Sequence, residues 1–291
     1  MKIRFWGVRG SIASPGPKTA RVGGNTSCVE VECGGERFIL DAGTGLRQLG
    51  DSLLANRAAS NRDGRCVDVE SMKATLLLSH VHWDHIQGLP FFAPAYLPDV
   101  ELTIVGAKNG KMGLRETLER QMTDPMFPVR HDELRASISI KEVQARDAWC
   151  VGRATVRVAK GNHPNGVLAY RIDCNGKSVV YATDTEHFAC TDPELLSLAC
   201  GADVLIYDSQ YTEEEYRGLE GLSKVGWGHS TYVAGAALAH AAGVAQYILF
   251  HHDPKRTDDQ VLELESRARG LFSSSAAARE GMEIALDGPD V

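Results

Sequence analysis

The chain has 291 residues, of which 43% are hydrophobic and 24% charged. That composition is ordinary for a globular protein and excludes a disordered or fibrous one. The formal net charge of -7 argues against broad, non-specific nucleic-acid binding, which depends on Lys and Arg neutralising phosphates. It leaves room for a small phosphorylated substrate in a local pocket. No apolar run nears the roughly 20 residues needed to cross a bilayer, so no membrane partner is expected. The opening Met1–Gly7 segment lacks the long apolar centre of a signal peptide. Seven scattered cysteines (Cys28, Cys33, Cys66, Cys150, Cys174, Cys190, Cys200) form no Cys-x-x-Cys pair. They read as reduced, inert packing residues of a cytoplasmic protein.

In chain order, short runs rich in Val, Ile, Leu and Phe predict strands. They are Lys2–Trp6, Ser27–Glu32, Glu36–Leu40, Ala74–Ser79, Glu101–Val105, Ala136–Val143, Ala154–Ala159, Val167–Ile172, Ser178–Ala182, Asp203–Tyr207 and Gln246–Phe250. Gly34-Gly35 and Asn175-Gly176 are tight-turn signals, so much of the sheet is expected to be antiparallel hairpin. Leu46, Leu49, Leu53 and Leu54 mark one apolar helix face. Asp192-Pro193-Glu194 reads as an N-cap and first-turn proline opening a short helix. Ser230–Ala242 predicts a helix stopped by Gly243, and Thr257–Gln260 a capping box opening a helix toward Gly270. Asn56–Lys73 and Ser273–Glu280 are polar and read as surface segments. No linker or repeat interrupts the chain, so residues 1–291 are expected to form one domain.

The chemistry concentrates in Leu78–His85, which spells His-x-His-x-Asp-His directly after an apolar strand. Three imidazoles and a carboxylate are costly to bury unless they share a task. Metal binding is such a task, because neutral imidazole and carboxylate are good ligands for zinc and similar ions. His80 and His82 alternate along an extended stretch and face the same way. Downstream, His163, Asp184 and the pair His251-His252 each follow an apolar strand, where loops carry functional groups on a rigid scaffold. These suffice for two ions. One would take His80, His82 and His163, and the other Asp84, His85 and a late histidine, with Asp184 bridging. Two metals yield hydroxide near neutral pH and clamp the attacking and leaving oxygens.

In these residues, in this order, the chain resembles the metallo-β-lactamase-fold hydrolases over nearly its whole length. The resemblance implies an α/β fold, an αββα sandwich of two mixed sheets flanked by helices, with the metals in a cleft at one edge. It implies two divalent metal ions, most readily Zn2+, with Mn2+ or Fe as alternatives. Asp41 in Asp41-Ala42-Gly43 matches an early family turn whose Asp orders the ligand loop. An ungapped match of the last motif puts His251 on the final ligand position.

The C-terminal third narrows the resemblance to the phosphodiesterase branch, which holds tRNA 3′-processing endonucleases and small cyclic-phosphate diesterases. There a histidine before Ser-Thr pairs with an acidic residue and protonates the departing alkoxide. His229 in Gly228-His229-Ser230-Thr231 matches that histidine, and Asp208 falls where the family usually has Glu. The expected catalytic residues are therefore Asp84, His229 and Asp208. Asp84 would orient the attacking oxygen. Between His163 and Asp184 lies only a compact hairpin, not the basic arm with which tRNA endonucleases grip their substrate. The expected substrate is thus a small, cyclic or nucleotide-like phosphodiester, with no extended nucleic acid, and a homodimer is possible by analogy. Lys108, Lys111 and Arg115 sit at helical spacing and read first as a solvated helix face, with a face lining the substrate side as the alternative. Met122–Pro128 reads as a lid-like loop, and residues 7–26 as a turn-rich loop flanking the cleft. His187 lies close enough to Asp184 to reach the cleft, while His131 and His240 read as structural. The alternatives are a carbon-centred (lactone or thioester) hydrolase, a tRNA endonuclease lacking the usual arm, and a non-catalytic ligand-binding metalloprotein.

Overall fold

A computed structural model describes residues 1–62, 72–108 and 112–287. Among the described residues, fourteen strands form two seven-stranded sheets. The first sheet uses β1 (Lys2–Gly7), β2 (Cys28–Cys33), β3 (Glu36–Leu40), β4 (Met72–Leu77), β5 (Val100–Gly106), β6 (Ser137–Glu142) and β14 (Glu283–Ala285), ordered β14-β1-β2-β3-β4-β5-β6. The second uses β7 (Ala148–Val151), β8 (Ala154–Gly161), β9 (Val167–Cys174), β10 (Lys177–Ala182), β11 (Val204–Asp208), β12 (Gln246–Phe250) and β13 (Ser275–Ala277), ordered β13-β12-β11-β10-β9-β8-β7. The mixed α/β sandwich expected from the sequence is therefore present.

All eleven predicted strands form, and β7, β13 and β14 are additional to them. The two-residue turns behave as expected. Gly34-Gly35 and Asn175-Gly176 all have positive φ, the conformation that matches the twist of hairpin strands. Only half of each sheet is antiparallel, however. The pairs β3–β4–β5–β6 and β10–β11–β12–β13 are parallel, so the expected antiparallel pairing holds for one half of each sheet and the other half is parallel. Parallel neighbours require long crossovers, and the helices supply them.

The crossovers are α1 (Gly45–Arg62), α3 (Leu114–Gln121), α4 (Pro193–Ala199), α5 (Glu213–Arg217) with α6 (Tyr232–Ala242), and α7 (Asp258–Leu271). A single turn, α2 (Trp83–Ile86), lies inside the His-rich motif. Leu46, Leu49 and Leu53 bury the inner face of α1. Asp192 caps α4 by accepting from the Glu194 and Leu195 amides, with Pro193 behind it. Thr257 and Gln260 form the expected box at α7, and Gly243 ends α6 at φ 63. One core fills the space between the sheets and continues under α4, α6 and α7. A second lies between the first sheet and α1.

Three loop expectations change. Asn56–Arg62 extends α1, and residues 63–71 lie outside the described set, as does Cys66. β13 occupies part of Ser273–Glu280. Lys108 precedes α3 rather than sharing a face with Arg115, which pairs with Glu119 one turn on; Lys111 is outside the described residues. Of the described cysteines, Cys28, Cys33 and Cys174 are buried, but Cys150, Cys190 and Cys200 are exposed and so are not packing residues; all six are free. No helix among the described residues is long and apolar enough to cross a membrane. Because Leu49 is fully buried under the first sheet, Leu49→Ala is expected to cost about 2–5 kcal/mol. A urea-unfolding midpoint unchanged from the wild type would contradict that placement.

Candidate metal centre

The site forms where parallel strands end. Asp41 follows β3, the His-rich motif follows β4, Asp184 follows β10, Asp208 ends β11 and His251 follows β12. The carboxyl ends of parallel strands are where open α/β sheets place their ligands. Asp41, Asp184 and His251 have φ of 62, 49 and 60. A non-glycine residue in the left-handed region turns the chain sharply off the strand and costs about 1–3 kcal/mol. Here it brings each side chain back over the strand ends.

The two expected groups assemble. Ligand atoms of His80, His82 and His163 converge within 4.8 Å of one another, and so do those of Asp84, His85, Asp184 and His251. An overlapping group adds Asp208 and His229 to Asp184 and His251. His85 Nε2 lies 3.1 Å from Asp84 Oδ2 and 3.2 Å from Asp184 Oδ1. His251 Nε2 lies 3.3 Å from Asp84 Oδ2 and 3.1 Å from Asp184 Oδ1. Asp184 Oδ2 lies 3.8 Å from both His80 Nε2 and His163 Nε2, so its carboxylate spans the two groups.

Three of these rings are held by their other nitrogen. His85 Nδ1 donates to Asp41 Oδ2 at 2.7 Å, His163 Nδ1 to the Gly228 carbonyl at 2.8 Å, and His251 Nδ1 to Gln210 Oε1 at 2.9 Å. Fixing Nδ1–H in this way presents the Nε2 lone pair inward, as metal-binding histidines require. His80 Nε2 and His85 Nε2 are buried and make no hydrogen bond. Orphaned buried nitrogens, facing carboxylates off the hydrogen-bond direction, fit a donor set built for cations. The residues present therefore fit two divalent ions.

His229 Nδ1 lies 2.8 Å from Asp208 Oδ2, and its ring stacks on His251 with centroids 5.0 Å apart. Burial pulls the His229 pKa down, but the Asp208 carboxylate bonded to it, together with Asp184 and Asp84, outweighs this and raises it to about 9. Asp208 Oδ1 also accepts from the Gln210 and Ser230 amides. The shorter acid thus reaches its histidine because β11 ends beside the Gly228–Thr231 segment.

Several placements were open in the sequence. His252 turns away: its Nε2 donates to the Ala278 carbonyl at 2.9 Å, and burial, with Arg9 nearby, lowers its pKa to about 3. His187 stays outside the groups, bonded to Ser230 Oγ at 3.0 Å and packed on Tyr216. His240 donates to the Leu271 carbonyl, and His131 is buried in a short turn. The 7–26 loop does flank the site, with the Ser11 amide donating to Asp84 Oδ2 at 2.8 Å. Met122–Pro128 is irregular, as expected, and packs through Phe127 on Phe91.

Sequence reasoning missed Glu186 and Gln210. Glu186 is buried and accepts from the Tyr216 hydroxyl and from the Gly226 and Gly228 amides at 2.7, 2.7 and 2.9 Å. It thereby fixes the carbonyl that orients His163. The only signal was an acid two residues after Asp184. Glycines matter at two points. A Cβ at Gly10 would lie 2.4 Å from His251 Nδ1, and one at Gly228 2.3 Å from His163 Nδ1.

Comparison with known proteins agrees with this geometry. The chain matches the beta-lactamase superfamily domain over residues 36–252. It is 29% identical over 282 residues to a ribonuclease Z of Mycobacterium avium, covering 91% of each chain. Its fold is similar to that of the metallo-beta-lactamase fold protein YhfI from Bacillus subtilis, at a TM-score of 0.70 and 19% identity over 97% of this chain and 98% of that one. It is also similar to the short form of human tRNase Z, at 0.62 and 16% identity over 99% and 100%. The chain belongs to the beta-lactamase superfamily, and its likeness to these solved structures shows a metallo-β-lactamase fold.

Proposed function

We propose that this chain hydrolyses phosphodiester bonds of small, compact substrates, cyclic or nucleotide-like ones included, at a centre of two divalent ions. His80, His82 and His163 would hold one ion. Asp84, His85 and His251 would hold the other, and Asp184 would bridge. Divalent ions supply Lewis acidity and a nucleophile at neutral pH. Imidazole and carboxylate suit zinc first, with manganese or iron as alternatives.

The chain's own contribution is positional and acid–base. Asp84, held by the Ser11 amide, orients the attacking oxygen. Asp208 holds Nδ1 of His229, which leaves Nε2 to carry a proton to the leaving oxygen. An alkoxide leaves poorly, and a placed general acid lowers that barrier by about 10²–10⁴-fold. The His229–Asp208 pair, stacked against His251, is the observation that carries the reading. Lactone or thioester cleavage would need the ions but not this pair.

One observation favours a second reading. The 29% identity to a ribonuclease Z points to RNA. Against it, the segment between His163 and Asp184 is only the β9–β10 hairpin with its two-residue turn, and the net charge is -7. Oligomeric state enters neither reading.

The deciding assay is hydrolysis of bis(p-nitrophenyl) phosphate by metal-stripped protein reloaded with zinc or manganese, beside a lactone and a tRNA precursor bearing a 3′ trailer. Metal-dependent diester turnover is expected, with a loss of about 10²–10⁴-fold in His229→Ala. Absence of diester turnover with two ions bound would falsify the proposal. Trailer removal at a far higher kcat/KM than any small diester would move the substrate to RNA.

The ligand assignment has its own test in metal content. Gly228→Ala displaces His163 and is expected to leave about one ion per chain, because the loss of a ring-orienting contact costs roughly 10–100-fold in metal affinity. Gly10→Ala displaces His251 and should spare the other ion. Two ions retained in both variants after dialysis would rule out these assignments.

A further inference from the structure

The centre is polar, yet the segments that carry it bear exposed apolar side chains. Ile12 follows Ser11, the amide donor to Asp84. Trp83 lies between His82 and Asp84. Phe188 sits four residues past Asp184, and Val225 and Trp227 precede Gly228, the acceptor for His163. Trp83 is 67% exposed, and Phe188 and Trp227 are each 52% exposed. Single exposed apolar residues need no explanation, but several gathered on the segments of one site do.

These side chains are held on ordered backbone. The Gly226 and Gly228 amides donate to Glu186, the Lys224 amide to the Tyr216 carbonyl, and the Trp227 amide to the Lys224 carbonyl. Phe188 has φ 47, a conformation that a bulky residue keeps only where its surroundings enforce it. Lys224 Nζ lies 3.9 Å from the Trp227 ring centroid, which steadies the indole. The three largest of these side chains are flat rings, and one of them, Trp227, has a cation against it. Flat rings with a cation suit a planar group attached to an anion.

We infer that Trp83, Trp227 and Phe188 determine specificity at this site by receiving a nucleobase of the substrate, whose phosphate lies at the His/Asp groups. The inference rests on the phosphodiesterase reading and extends it to the part of the substrate that does not react. A second copy of the chain is the competing occupant of the same rim.

The test compares adenosine 5′-monophosphate with ribose 5-phosphate, which differ only by the base, in calorimetric titration of the metal-loaded protein. The base should tighten binding about tenfold and quench tryptophan emission, with Trp6 and Trp149 as background. Trp83→Ala combined with Trp227→Ala should bring the ratio close to one. Ribose 5-phosphate affinity and metal content report whether the variant remains folded. Equal affinities in the wild type, or a ratio that survives the double variant, would overturn the inference. So would a dimer in sedimentation that shields both indoles and abolishes discrimination. Diester turnover is scored separately. Its absence counts against the phosphodiesterase reading, while the affinity ratio still decides the role of the rim.

Discussion

A carboxylate taken wholly out of water is tolerable only if hydrogen-bond donors replace the water it loses. Asp41 is fully buried and meets that condition with four donors: the Ser79 amide, the Ser79 hydroxyl, the Tyr181 hydroxyl and His85 Nδ1, each at 2.7 Å. Those donors come from both sheets. Ser79 and His85 belong to the segment after β4, while Tyr181 is on β10 of the opposite sheet. The carboxylate therefore fixes how the sheets meet at their functional edge, and it sets the tautomer of His85. Replacing Asp41 by a neutral side chain would leave several buried donors without a partner, which costs more than the bonds contribute.

The same constraint explains the strained residues. A strand that simply continued would carry Asp184 or His251 away from the centre. The left-handed turn at each position keeps them over the strand ends, and buried packing on both sides offsets its cost. Behind Phe250, which contacts Phe5 and Tyr181 between the sheets, His251 has little freedom to relax. Gly10 and Gly228 let backbone approach the rings that a Cβ would push aside. Rigidity here follows from close packing around a few backbone positions, not from any single strong bond.

What the sequence revealed follows from what is local. The His80–His85 motif is contiguous, so its chemistry was legible without a fold. His163, Asp184 and His251 were legible as polar residues at the ends of apolar runs, and Asp208 and His229 through resemblance to a family motif. Glu186 and Gln210 were not legible, because they act through a hydroxyl, two amides and a ring nitrogen 30 to 42 positions away, with no spacing rule behind them. The parallel half of each sheet was missed for a related reason. Hairpins announce themselves in turn residues, whereas parallel pairing is decided by helices packing across the sheet. The short β13 and β14 carry too few residues for a period to show.

The electrostatics of the centre close the argument for cations. His163 spends its Nδ1 proton on the Gly228 carbonyl, so in the neutral ring Nε2 is a bare lone pair, 3.0 Å from His82 Nδ1. His80 Nε2 adds a further buried nitrogen with no hydrogen bond. Beside them, Asp84 and Asp184 are both buried, their pKa values lowered because the neighbouring imidazoles outweigh the cost of burial. Lone pairs and anions gathered this closely repel one another unless something positive lies among them. Protons on the rings could neutralise part of that charge, and one could bridge His82 Nδ1 and His163 Nε2, but His80 Nε2 and His85 Nε2 find no hydrogen-bond partner. Two divalent ions would satisfy both halves at once, and on the proposed reading they would leave His229, already paired with Asp208, free for proton transfer.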